Sequence, residues 1–210
     1  MSTLQPTRID QIEEADPNDL VVRARGGCEE SYAELARRFF PRLVQLVLPR
    51  ISGSNHMDAE DIAQESLARA FQKLDAFDPK YRFSTWLYTI ATRLAMDHNR
   101  GKRRRLTLLE THRSLFDLGG HTHVSLAAEY ECREAVDAIW RVARTALGEP
   151  HYTAMWLRFA EDLSVAEIAR VMRKTKVGVR VLLHRARSKM LNAMNREDAI
   201  QPNIVSVEGE

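Results

Sequence analysis

Apolar residues recur every three to four positions along most of this 210-residue chain, and strand-like alternation is hard to find. That period, interrupted by only nine glycines and seven prolines, restricts the chain to an all-α architecture. The length suits one large domain or two small ones, each with its own core. The 44% apolar and 29% charged fractions are those of an ordinary globular protein.

The most informative stretch is Tyr81 to Arg105, YRFSTWLYTIATRLAMDHNRGKRRR. Ser84 can N-cap a helix burying Leu87, Ile90, Ala91, Leu94 and Ala95, spaced as one apolar face. The other face carries Thr85, Tyr88, Thr89, Thr92, Arg93, Met96 and Arg100, and runs into Lys102, Arg103, Arg104 and Arg105. Tyr81, Phe83, Trp86 and Tyr88 stand where bases can stack, and the cations where phosphates can be neutralised, the physics of a single-strand binder. The plainer alternative is a core helix with a solvated charged end.

Charge distribution favours the former. Residues 81–105 sum to +6 and residues 170–190 to +8, so a net +2 leaves −12 for the rest. Two concentrated basic elements in an otherwise acidic chain suggest two contacts with a polyanion. Cys28 and Cys132 form no CxxC pair, so no thiol framework or zinc site is implied, and two reduced thiols fit a cytoplasmic protein. No apolar run approaches ~18 residues. The polar, acidic N-terminus is the opposite of a signal peptide.

Residues 1–16 read as a disordered acidic lead-in. Asp16-Pro17 then starts a helix with Leu20, Val21 and Ala24 on its apolar side, and Gly26-Gly27 ends it. From Glu29 a second helix carries Tyr32, Leu35, Phe39, Leu43 and Leu46, with a kink or fresh start expected at Pro41. After a loop at 51–55, Asp58 caps DAEDIAQESLARAFQKLDAF, which buries Ala63, Leu67, Ala70, Phe71 and Leu74. Glu60, Asp61 and Glu65 favour the positive end of that helix. These carboxylates resemble a magnesium site only in number, since no phosphate-binding Gly-rich loop accompanies them.

Residues 106–128, with Gly119-Gly120, lose periodicity and read as a linker between domains. His112, His121 and His123 there read as loop polarity rather than a metal site. A helix resumes near Ala127 with Cys132, Ala135, Val136, Ile139, Trp140 and Ala143 inward, stops at Leu147-Gly148, and Pro150 opens the next. In LSVAEIARVMRKTKVGVRVLLHRARSKM (163–190), Ser164 and Glu167 form a capping box, and Leu163 with Ile168 a hydrophobic staple. A short turn leads to a helix capped near Thr175, with Val179, Leu183, Ala186 and Met190 inward. Lys176, Arg180, His184 and Arg187 face outward, with Arg173 just before them. This is a helix-turn-helix whose second helix suits a major groove. From Arg196 the tail reads as disordered.

Residues 58–105 closely resemble conserved region two of bacterial sigma factors, and residues 163–190 resemble their region four. With two such domains and a short linker, the chain is identified as a member of the extracytoplasmic-function (group four) subfamily over roughly residues 17–195. The resemblance implies a region-two domain at 17–105, a linker at 106–128, a region-four domain at 129–195 and a tail at 196–210. It implies no catalysis and no cofactor. Asp58, Asp61, Gln64 and Glu65 match positions that dock on the beta-prime coiled coil of core RNA polymerase, with Phe71 packing beneath, and the beta flap is the second polymerase contact. Phe83, Trp86, Thr89, Arg93, Asp97, Arg100, Lys102 and Arg103 match positions along the melted minus-ten strand. Arg173, Lys176, Arg180, Val181, His184, Arg185 and Arg187 fall where the family reads the minus-thirty-five element. An anti-sigma factor is the further partner implied, and the place of action is the cytoplasm, on the nucleoid when in holoenzyme.

The chain departs from the family at Arg173, where the turn usually has glycine, and at Gly178, Val181 and Leu182, so either an unusual upstream preference or a weaker upstream readout leaning on phosphate contacts is expected. Two other classes compete. A stand-alone helix-turn-helix regulator explains residues 163–190 alone. A metal-dependent nucleic-acid enzyme would use Asp58, Asp61 and Glu65.

Overall fold

The structure, a computed structural model, describes residue 12 and residues 14–51, 56–109 and 130–198. Every regular element among them is helical. They form two compact units, one built on the helices before residue 110 and one on those after residue 129.

The first unit begins with α1 (Pro17–Arg25). The Asp16 side chain accepts from the Asn18 N–H at 2.8 Å, and Pro17 occupies the first turn, where its missing N–H costs nothing. Leu20 and Val21 are fully buried. Gly27, at φ +87°, reverses the chain in a conformation that costs a side chain dearly. Helix α2 (Glu29–Val47) runs through Pro41 as one element, so no fresh start occurs there, and it buries Leu35, Phe39, Leu43 and Leu46. The lead-in is not wholly loose. Ile12 is buried, and Arg38 donates to the carbonyls of Ile12 at 2.9 Å and Ala15 at 2.7 Å.

Helix α3 (His56–Gln72) starts two residues before Asp58, which therefore lies in the first turn rather than at the cap. It also stops short of the expected Phe77. A 3-10 turn at Leu74–Ala76 follows, and the carbonyls of Leu74, Asp75 and Phe77 are taken by Arg25 rather than by a continuing helix. Ala59, Ile62, Ala63, Ser66, Leu67 and Ala70 face inward. Phe71 does not: it is 51% exposed.

Helix α4 (Phe83–Leu109) carries the basic segment. It continues past Arg105, so the first four residues of the expected linker are helical; the rest of that linker, with His112, His121 and His123, lies outside the described residues. Ser84 is not its cap. It is buried in the first turn, and the Phe83 N–H donates instead to the Asn18 side chain at 2.9 Å. The buried arc is Leu87, Tyr88, Ala91, Thr92 and Ala95, turned by about one residue from the arc expected, with Thr85 also buried. Helix α4 packs on α1, α2 and α3. Phe83 lies amid Phe39, Phe77 and Trp86, with ring centroids 5.4–5.9 Å apart.

The second unit comprises α5 (Tyr130–Ala146), α6 (Glu149–Phe159), α7 (Val165–Met172) and α8 (Lys176–Asp198). Helices α5 and α6 both pack on α8. Trp140, Tyr152 and Trp156 interlock at its centre, the two indoles 4.9 Å apart. Ala143 is buried, but Val136 and Ile139, expected inward, are 46% and 42% exposed. Burial lifts the Tyr152 hydroxyl to about 12. Helix α8 reaches Asp198, three residues into the expected loose tail; the remaining tail is outside the described residues.

Candidate functional site

Three surfaces carry the residues singled out by the sequence. On α3, Asp61, Gln64 and Glu65 are exposed, while Asp58 is partly covered with its Oδ2 3.7 Å from His98 Nε2 on α4. Glu65 pairs with Arg69 one turn on, at 2.6 Å. Phe71 is not beneath this cluster. It sits two turns further along, against Tyr32 at 4.5 Å, whose hydroxyl donates to the Leu67 carbonyl. The exposed residues Met57, Asp61, Gln64, Ala68 and Phe71 recur at alternating steps of four and three. That is the spacing of a coiled-coil seam, here left open to solvent. Sequence reasoning missed Met57 and Ala68, although the same spacing was available to find them. Among the described residues no three His, Cys, Asp or Glu side chains gather as a metal site.

The second surface is α4 with the segment before it. Trp86 and Thr89 are partly exposed, and Arg93, Asp97 and Arg100 more so, one stripe along the helix. Asp97 and Arg100 lie 3.8 Å apart. Thr89 donates to the Thr85 carbonyl at 2.8 Å. Phe83 and Tyr88 are fully buried and present no ring face to a base, which corrects the reading of both as stacking platforms. Thr92 also turns inward, where Arg50 donates to its hydroxyl at 2.6 Å. The side chains of Lys102 and Arg103 are outside the described residues. Tyr81 is 47% exposed, with Lys80 beside it.

The third surface is the helix-turn-helix. Glu167 accepts from the Ser164 N–H at 2.9 Å and hydroxyl at 2.7 Å, and Leu163 and Ile168 are fully buried, so box and staple both form. Arg173 occupies the turn at φ +53°, the left-handed region that explains why glycine is expected there. The Lys174 N–H reaches back to the Ala169 carbonyl at 2.9 Å. Thr175 caps α8 by accepting from the Gly178 N–H at 3.0 Å, and a side chain at Gly178 would meet that hydroxyl at 3.2 Å. Glycine at 178 thus leaves room for the cap. Lys176, Arg180, Val181, His184, Arg185 and Arg187 are all exposed on α8, with Val179, Ala186 and Met190 buried behind them. Burial, with Lys189 and Arg185 adding, holds the His151 imidazole below its ordinary range.

Comparison with known proteins bears on all three surfaces. The family model for Sigma-70 region 2 matches residues 35–105, and that for Sigma-70, region 4 matches residues 153–190, together about half of the chain. The ECF RNA polymerase sigma factor SigW of Bacillus subtilis is 28% identical over 177 residues, covering 81% of this chain and 92% of that protein. The ECF RNA polymerase sigma factor BldN of Streptomyces coelicolor is 31% identical over 170 residues, covering 80% of this chain and 62% of that protein. Among solved structures, the sigma factor RpoE of Bartonella quintana, in complex with the anti-sigma factor NepR, shares the fold at a TM-score of 0.63. Its identity is 19%, over 79% of this chain and 98% of that one.

Proposed function

The chain belongs to the sigma-70 family in its extracytoplasmic-function branch, and from that premise we propose that it is a non-enzymatic specificity subunit of RNA polymerase. It binds the core enzyme, directs it to promoters with minus-ten and minus-thirty-five elements, and assists melting. The carrying observation is the open seam Met57, Asp61, Gln64, Ala68 and Phe71 on α3. A seam with that repeat suits a helical partner, and Asp61, with Glu65 beside the seam, suits a basic one, which the beta-prime coiled coil supplies.

The other two surfaces divide the promoter. Tyr81 and Trp86 offer aromatic faces and Arg93 and Arg100 cations to the displaced strand. Unstacking a base costs a few kcal/mol, which capture by the protein must offset. Helix α8 enters the major groove with Arg180, Val181, His184 and Arg185 toward base edges, and Arg173, Lys176 and Arg187 toward phosphates. The beta flap holds this second unit. Exposed apolar groups on the docking face, Met57 and Phe71, also suit an anti-sigma factor that hides it. The protein works in the cytoplasm, on the nucleoid once in holoenzyme; no helix among the described residues is long and apolar enough to cross a membrane.

The test is equilibrium binding of the labelled full chain to purified core polymerase. Asp61→Arg and Met57→Asp weaken binding, while Arg180→Ala in α8 leaves it unchanged. If both α3 variants, folded as wild type, bind core equally tightly, the α3 dock is wrong.

A further inference from the structure

The segment 74–83, between α3 and α4, is held by two side chains of α1. Asn18 and Arg25 are seven residues apart, two helical turns, so they project from one side of that helix about 10 Å apart along its axis. Arg25 takes the first half of the segment. Its guanidinium donates to the carbonyls of Leu74 at 2.6 and 2.8 Å, Asp75 at 3.1 Å and Phe77, and it lies over the Phe77 ring at 5.8 Å. Asn18 takes the second half. Its amide donates to the carbonyls of Tyr81 at 3.0 Å and Pro79 at 3.3 Å, while its oxygen accepts from the Phe83 N–H.

Six backbone groups of a ten-residue connection are thereby fixed by one short helix. Between the two anchors, Asp78 closes a local turn, its side chain accepting from the Lys80 N–H at 3.0 Å. Because every anchoring bond goes to backbone, the clamp sets the path of the segment and leaves the side chain of Lys80 facing solvent. A loop held in its binding shape loses less entropy on capture and discriminates more sharply than a loose one.

We infer that Asn18 and Arg25 are positioning residues for base selection on the melted strand, acting through the backbone of residues 74–83 without touching DNA. This rests on the sigma reading proposed above. Its consequence is that α1, remote in sequence from the DNA-facing stripe, tunes selectivity at the minus-ten element.

The experiment uses holoenzyme reconstituted with the full chain and a fork-junction template carrying the minus-ten element of a promoter mapped with wild type. Binding is measured for the native element and for single-base substitutions in it. One substituted base ordinarily costs about 5- to 150-fold in binding. Asn18→Ala and Arg25→Ala are expected to bring that ratio to within about threefold of unity at one position or more. Arg25→Lys, which keeps the charge but loses the planar fork, gives the same result, and Asn18→Asp, which keeps only the acceptor, restores part of the ratio. A variant that merely unfolds some of the protein weakens binding to native and substituted templates by one common factor. Ratios equal to wild type in every variant therefore overturn the inference while the sigma reading stands. A wild-type protein that selects no promoter sinks both.

Discussion

Replacing Arg173 by glycine separates two roles of one residue and makes them move in opposite directions. Arg173 holds φ +53° in the turn between α7 and α8. The left-handed conformation costs an L-residue roughly 1–2 kcal/mol, which glycine avoids. Glycine in return loses more freedom on folding, about 0.4–1 kcal/mol. The side chain is exposed, so its removal leaves no cavity. Taking midpoints, the net gain is about 0.8 kcal/mol, which for a unit of this size raises its Tm by about 3–6 °C. The same change deletes one cation beside the groove, so the slope of log affinity against log salt for promoter binding falls by about 1. Calorimetric unfolding of the full chain and salt-dependent binding of the holoenzyme read the two effects. Asp162→Gly is the control: aspartate tolerates its φ of +47° better, and the gain is smaller. A lower or unchanged Tm in Arg173→Gly refutes the strain argument.

The remaining predictions address the core, acid stability and the strand-binding face. Phe83→Ala removes a fully buried ring and costs about 3–5 kcal/mol in the first unit, whereas Tyr81→Ala costs no more than about 1 kcal/mol. In single-strand binding by holoenzyme, Tyr81→Ala loses about 1–3 kcal/mol; denaturant unfolding and a fluorescence titration separate the pair. Glu34 is buried and accepts from Arg37 at 2.7 Å and Arg38 at 2.6 Å, and the Arg37 hydrogen bond leads in holding its carboxyl below its ordinary 4.5. Its stabilisation is complete above the unfolded value and is lost as pH falls through the lower folded one. Urea unfolding of Glu34→Gln should therefore approach wild type as pH falls below the ordinary 4.5, and a variant with the full acid slope contradicts this. Holoenzyme–promoter affinity, with ~6 phosphates neutralised, falls with salt at a log–log slope of about −5; a flat response contradicts the backbone contacts.

What was legible in the sequence was what local chemistry decides. Asp16-Pro17 and Gly26-Gly27 bound α1, and Ser164 with Glu167 opens α7, because each signal lies within one turn of the end it marks. The α8 stripe of Lys176, Arg180, His184 and Arg187 follows from helical spacing, whereas the docking role of Asp58, Asp61, Gln64 and Glu65 came only from the family resemblance. What failed depends on distant residues. The cap of α4 arrives from Asn18, 65 residues away, and α3 ends early where Arg25 takes its following carbonyls. Tyr88 and Thr92 were placed outside because they are polar, but Arg50 reaches Thr92 and makes a buried hydroxyl tolerable. Phe83 read as a stacking platform because one sequence cannot tell an aromatic that packs on Phe39 and Phe77 from one that waits for a base.

The most direct measurement is run-off transcription from fragmented host genomic DNA with purified core polymerase, alone and with the full chain, beside Asp61→Arg. Discrete new transcripts are expected with wild type and none with Asp61→Arg. A wild-type chain that adds no start site to core polymerase yet shifts duplex DNA by itself contradicts the sigma reading.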